Sequence, residues 1–251
     1  MDSTRSDLTY SDGIAGSRTM LAVEANPDAL QRRLPDGWEL APYTGDDLRG
    51  TSLRGANLLV PFHEVHAVHT ADGPATGLSQ LSYVAFVSQA RHRDTGTLAH
   101  MHLHAYTEDP DSVPGKYADS VLAEVTRSQR FTKKRRGETR VQESFSAVAD
   151  SGEVHLTLGY EQGGAVMWVT AEQPNLELQA AANPDIVRWY QEDQVIDLVR
   201  SVPMGIDKVG ELELTVTGEL EDVFDGHRSV AVVIQRPYLR RVYVPVAEPV
   251  A

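Results

Sequence analysis

Residues 139–171 read TRVQESFSAVADSGEVHLTLGYEQGGAVMWVTA. Apolar and polar residues alternate through 139–149 and 153–160, 165–171 is a short β-branched and aromatic apolar run, and the turn formers Asp150-Ser151-Gly152 and Gly163-Gly164 stand between these segments. A period of two broken by glycine-bearing turns is the pattern of antiparallel strands with one buried face. The stretch therefore predicts a three-stranded meander. The same texture continues outward, upstream at 19–25, 55–69, 78–90 and 98–106, and downstream at 174–181, 211–220, 229–235 and 239–246.

Three segments read as helices. Asn26-Pro27-Asp28 supplies a cap and a proline for the first turn, followed by ALQRRL and a stop at Pro35-Asp36-Gly37. Residues 116–127 carry Ala118, Val121, Leu122 and Val125 at helical spacing. Asn183-Pro184 opens a third, running to about Ser201 with Ile186, Tyr190, Ile196 and Val199 inward. No repeat or low-complexity linker divides the chain. The expectation is one β-rich α+β domain over residues 1–251, an antiparallel closed or half-closed β-barrel that protects its strand edges, with a few helices outside.

Composition narrows function. The chain has 251 residues, enough for a core without staples, and no cysteine, which removes disulfides, thiolate metal sites and a Cys nucleophile. A net charge of -13 disfavours nucleic acid and anionic membrane surfaces as partners. The polar N-terminal stretch lacks an apolar targeting core, and no apolar run is long enough to cross a membrane, so a cytoplasmic protein is expected. Phosphate-loop, dinucleotide and nucleophile-elbow motifs are missing, and His63-Glu64-Val65-His66 is one residue short of a zinc-protease helix motif.

Two constellations remain. His100, His102 and His104 recur at every second residue, so a regular strand would place them on one face. That spacing permits a metal site, but a half-solvated, hydrogen-bonding strand face is the simpler reading, and no metal or other cofactor is expected. The second is Lys133-Lys134 inside Arg130-Phe131-Thr132-Lys133-Lys134-Arg135-Arg136, two of only four lysines in the chain. Such a run is either a solvated basic loop or an amine nucleophile whose pKa is lowered by burial and neighbouring cations.

The chain resembles the acetoacetate decarboxylase superfamily over most of its length. Residues 21–40 are similar to the family's strand, "D-x-x-A-L" helix and Leu-Pro turn, and Phe131-Thr132-Lys133-Lys134 is similar to its aromatic-Pro-Lys-Lys signature. A hairpin at Gly152, then Leu158-Gly159-Tyr160, follows at a family-like distance, and Gln173-Pro174-Asn175-Leu176 resembles its Arg-Pro-Asn-Tyr strand start. The resemblance implies a cone-shaped barrel around a Schiff-base lysine, here Lys133, with Lys134 as the neighbouring cation. It further implies Arg18 as a carboxylate-binding arginine and Glu64 as the general acid/base. Tyr83 stands where the family's second acid would be, after a Gly77-to-Tyr83 stretch.

The chain also departs from the pattern. Thr132 replaces proline, Gly115-Lys116-Tyr117 is the nearest remnant of the family's Gly-Arg-Glu, and residues 183–204 read as an added helix. These departures point away from simple acetoacetate decarboxylation. The expected function is Schiff-base chemistry on a small keto compound, of decarboxylation, aldol or dehydration type, in secondary metabolism. Two alternatives stay open: a non-covalent cyclase or isomerase using the barrel as a template, and a His-rich metal-dependent enzyme. No interface pattern fixes an oligomeric state, so a homo-oligomer also stays open.

Overall fold

A computed structural model describes residues 7–45, 52–71, 73–74, 81–112, 117, 119–134, 139–163 and 166–246. The elements in order are β1 (Leu8–Glu24), α1 (Pro27–Gln31), β2 (Trp38–Leu40), β3 (Leu58–Thr70), β4 (Gly73–Pro74), β5 (Leu81–His92), β6 (Leu98–Thr107), β7 (Ser120–Leu122) and β8 (Glu124–Lys133). They continue with β9 (Thr139–Ala149), β10 (Gly152–Gln162), β11 (Val166–Thr170), β12 (Leu176–Ala180), β13 (Val187–Ser201), β14 (Ile206–Asp207), β15 (Val209–Gly218), α2 (Glu221–Phe224) and β16 (Arg228–Pro245).

Seven strands close a barrel in the order β5-β3-β1-β16-β13-β12-β6, and β6 pairs back onto β5. The barrel is mixed rather than wholly antiparallel, because β12 runs parallel to β6. A second sheet of four strands, β15-β10-β9-β8, covers one outer wall. Between them lies the largest core, with Leu21 and Val23 of β1, Val60 and Phe62 of β3, and Phe145, Leu156 and Leu158 of the outer sheet. Phe62 and Phe145 meet edge to face across it, 5.0 Å apart, a favoured aromatic geometry.

Local chemistry explains the joints. Asn26 accepts from the backbone N–H groups of Asp28 and Ala29, and Pro27 occupies the first turn, so α1 starts where the sequence reading places it. At Gly16, where the β1–β3 register shifts, a Cβ would stand 2.0 Å from the Glu64 carbonyl oxygen. Only glycine fits that approach.

Two expected helices are strands. Within the expected helix 116–127, whose residues 116 and 118 lie outside the described residues, Ser120–Leu122 form β7 and β8 begins at Glu124, and residues 187–201 form β13 in the barrel wall. Both carry polar residues at inward positions: Arg127 in β8, and Glu192 and Gln194 in β13 are buried. A polar residue at an inward position hides the period-two signal and leaves the remaining apolar residues at apparent helical spacing. The meander also ends early. β9 and β10 pair as expected, but β10 continues to β15, while β11 joins β13 in the barrel sheet. The two runs expected at 229–235 and 239–246 are one strand, β16. The described residues contain only two short α-helices, and none of their helices is long and apolar enough to cross a membrane.

Candidate active site

The ladder register assembles the site. Arg18 of β1 is paired with His63 of β3, and His63 is paired with Tyr83 of β5, so the three side chains form a row across the inner wall. All three are buried. The His63 and Tyr83 rings stack at 4.3 Å with 12° between their planes. Burial, helped by Arg240 and Arg18, holds the His63 imidazole well below its usual pKa, and burial pushes the Tyr83 hydroxyl up to about 12.

β13 and β16 complete the row. Arg18 lies 3.3 Å from Glu192, Arg240 Nε lies 3.5 Å from the same carboxylate, and the Tyr238 hydroxyl donates to it. Arg18 also donates to Gln235 Oε1 at 2.5 Å and to Tyr238 Oη at 2.9 Å, and stacks 4.0 Å over the Tyr238 ring. Arg240 sits 4.3 Å over the Tyr190 ring. Burial alone would raise Glu192, but the two guanidiniums and the Tyr238 hydroxyl outweigh it and hold the carboxyl below its usual range. Among the described residues, two guanidiniums share one carboxylate, which leaves one net positive charge away from water.

This cluster is one wall of a cavity of about 170 Å³. Met20, Leu59, Val87 and Leu178 supply its apolar lining, and His100 faces it from β6. A wider, more open cleft of about 480 Å³ lies beyond Arg240, among Tyr10, Ala15, His69, Asp193 and Tyr243.

Of the residues expected at the site, the structure brings Arg18 and Tyr83 together. Glu64 is one position from His63 and so points to the opposite face of β3. There it accepts from Ser17 Oγ at 3.3 Å, with Arg127 4.0 Å away. Lys133 is exposed near the end of β8 in the outer sheet, and Lys134 is bound to Glu161 at 2.5 Å. Neither stands with Arg18 and Tyr83. The stretch at 77–80, Gly115-Lys116 and Arg135-Arg136 lie outside the described residues.

The alternating histidines diverge. The β5–β6 register shifts between Phe86 and Val87, so two residues of β6 advance against one of β5 between His102 and His104. His100 lines the cavity. His102 stacks on Tyr117 at 4.3 Å and bonds Asp119 through Nδ1 at 2.8 Å. His104 turns to Glu219 at 3.1 Å. Among the described residues, no three histidine, cysteine or acidic side chains gather closely enough to hold a metal ion.

Sequence reading missed His63, Tyr117, Tyr190, Glu192, Tyr238 and Arg240. For His63 a signal existed, since it shares strand parity with Pro61 and Val65 of the inner wall. Arg240 and Glu192 carry no motif that would single them out among the chain's many charges.

No protein-family model matches the chain, and no curated protein matches it by sequence. Solved structures do. An acetoacetate decarboxylase-like enzyme from Sphingomonas wittichii RW1 superimposes with a TM-score of 0.58 at 11% identity, covering 95% of this chain and 91% of that one. The enduracididine biosynthesis enzyme MppR gives 0.52 at 15% identity, covering 96% and 88%. MppR in complex with pyruvate gives 0.50 at 15%, covering 94% and 88%. The barrel, its closure and its outer sheet are thus those of the acetoacetate decarboxylase-like fold.

Proposed function

We propose that the chain is an enzyme that draws a small anionic keto compound into the barrel cavity and works on it by acid–base chemistry, without a covalent lysine intermediate. The observation that carries this reading is the Arg18–Glu192–Arg240 cluster. A net positive charge held out of water is costly until an anion joins it, and a guanidinium fork suits a carboxylate. Pyruvate, seen with MppR, is a keto anion of this kind. Tyr190, which lines the cavity beside Arg240, is a hydroxyl close to a bound anion. Lys133 and Lys134 lie at the end of β8 in the outer sheet, away from the cavity, which favours acid–base chemistry over an imine at either of them. The covalent reading stays as the second, resting on the Lys133-Lys134 motif.

The test compares 2-oxobutyrate with the neutral ketone 2-butanone in thermal-shift titrations. The reading predicts stabilisation by the anion alone. Equal effects from both, or none from either, would count against it.

A further inference from the structure

We infer that His100 is the proton acceptor of this cavity, taking a proton from the carbon next to the keto group of a bound 2-oxo acid, so that the reaction passes through an enolate. The inference rests on the binding mode proposed above and adds a residue and a step to it.

The barrel order places His100. Counting round the ring, β6 has β5 and β12 as neighbours, then β3 and β13, and faces β1 and β16 across the lumen. His100 is therefore opposite Arg18 and Arg240, and all three line one cavity. Its ladder partners, Gln89 on β5 and Leu178 on β12, line the same cavity and frame it. The Tyr43 ring lies 5.9 Å away at the cavity edge.

Chemistry matches this placement. About 10–15 Å³ of cavity space holds one water, so a cavity of about 170 Å³ has room for a small keto acid. With its carboxylate on the arginines, a 2-oxo acid directs its third carbon toward the opposite wall. That carbon carries the acidic C–H, and His100 stands on that wall. One imidazole nitrogen is engaged with the Glu177 backbone, which fixes the tautomer and leaves the other nitrogen with its lone pair. Burial lowers the His100 pKa to about 4, against the opposing pull of the Glu177 backbone and Glu192, so the imidazole is neutral at pH 7.

The step balances without another reactant. The C–H bond breaks and its proton goes to the free imidazole nitrogen. Its electron pair becomes the new C=C bond, and the carbonyl pair moves to oxygen, where the Arg18 and Arg240 guanidiniums oppose the negative charge. Return of the proton restores the keto acid or, at a different atom, gives an isomer.

The test is deuterium exchange. The protein is incubated with 2-oxobutyrate in D2O, and loss of the methylene proton signal is followed by NMR against a protein-free control. Binding is measured in parallel by calorimetry. His100→Gln should slow exchange by about 100-fold or more, the usual scale of a lost acid/base group, while 2-oxobutyrate affinity stays within about threefold. Exchange at the parental rate in His100→Gln would overturn the inference. So would binding to the parent without exchange above the control, which would leave the anion-binding reading standing. Absence of binding would overturn both. Should His100→Gln fail to fold, the imidazole ¹⁵N signals of the parent give the second measurement. The His100 nitrogen should shift on saturation with 2-oxobutyrate, and an unmoved signal would overturn the inference.

Discussion

Arg18 and Glu192 face each other across β1 and β13, Nη1 to Oε1 at 3.3 Å, with side chains only 7% and 10% exposed. Strand β16 lies between those two strands and inserts Arg240 against the same carboxylate. Ion pairs this deep rarely stabilise a fold better than apolar packing would. An unbalanced one is better explained by what it receives.

Removing the shared carboxylate tests that explanation. In Glu192→Gln two buried guanidiniums lose the carboxylate they share, the one close counter-charge among the described residues, so stability should fall by about 3–5 kcal/mol. The same variant should gain more from added 2-oxobutyrate than the parent does, because the anion then meets two unpaired cations. Denaturant titrations with and without the anion read both effects. A variant as stable as the parent would mean that Glu192 does not neutralise this wall.

Lys133 is exposed in the outer sheet. Lys133→Arg should therefore leave 2-oxobutyrate binding and exchange at parental levels. Borohydride reduction of the parent with the same compound should give no adduct by mass spectrometry. A trapped adduct at Lys133, lost in the variant, would restore the imine mechanism.

Stability should also fall in mild acid. His63, His100 and His104 are held neutral by burial, below their ordinary pKa near 6.5. The unfolded chain binds protons at these residues before the folded one does, so their contribution is complete above about pH 6.5 and is lost as pH falls below it, toward about 4 in the case of His100. Each can cost at most about 1.4 kcal/mol per pH unit in that window. Urea titrations at pH 7 and pH 5 measure the loss, and His63→Gln should reduce it. A flat response between those values would show that these imidazoles titrate normally.

The outer sheet is locked to the barrel by a second buried pair. Glu143 of β9 accepts from Arg127 at 2.6 Å, from Thr19 of β1 at 2.9 Å and from Gln129 at 2.9 Å. Glu143→Ala leaves Arg127 buried without its closest partner and should cost about 3–5 kcal/mol. Arg127→Met combined with Glu143→Leu should recover most of that loss, which thermal melts would show. Failure of the pair to recover would mean that Thr19 and Gln129 carry the join.

These two clusters also explain how much was legible in the sequence. Strands with apolar inward faces, such as β9 and β10, were readable from alternation alone. The α1 start was readable from Asn26 and Pro27. β8 and β13 were not, because Arg127, Glu192 and Gln194 occupy inward positions where alternation predicts apolar residues. The residues that conceal the strands are those that build the buried charge clusters. The expected site residues divide by strand parity: Arg18 and Tyr83 lie on the inner face in register with His63, whereas Glu64, one position from His63, lies on the opposite face of β3. The divergence of His100, His102 and His104 depends on a register shift that no local pattern announces.

The most direct measurement is a calorimetric titration of 2-oxobutyrate into the parent and into Arg240→Gln at pH 7. A charge-assisted contact of about 1.5–3 kcal/mol predicts saturable binding to the parent and an affinity lower by about 10- to 100-fold in the variant. Equal affinity in the two proteins would contradict the claim that the Arg18–Glu192–Arg240 wall is where the anion binds.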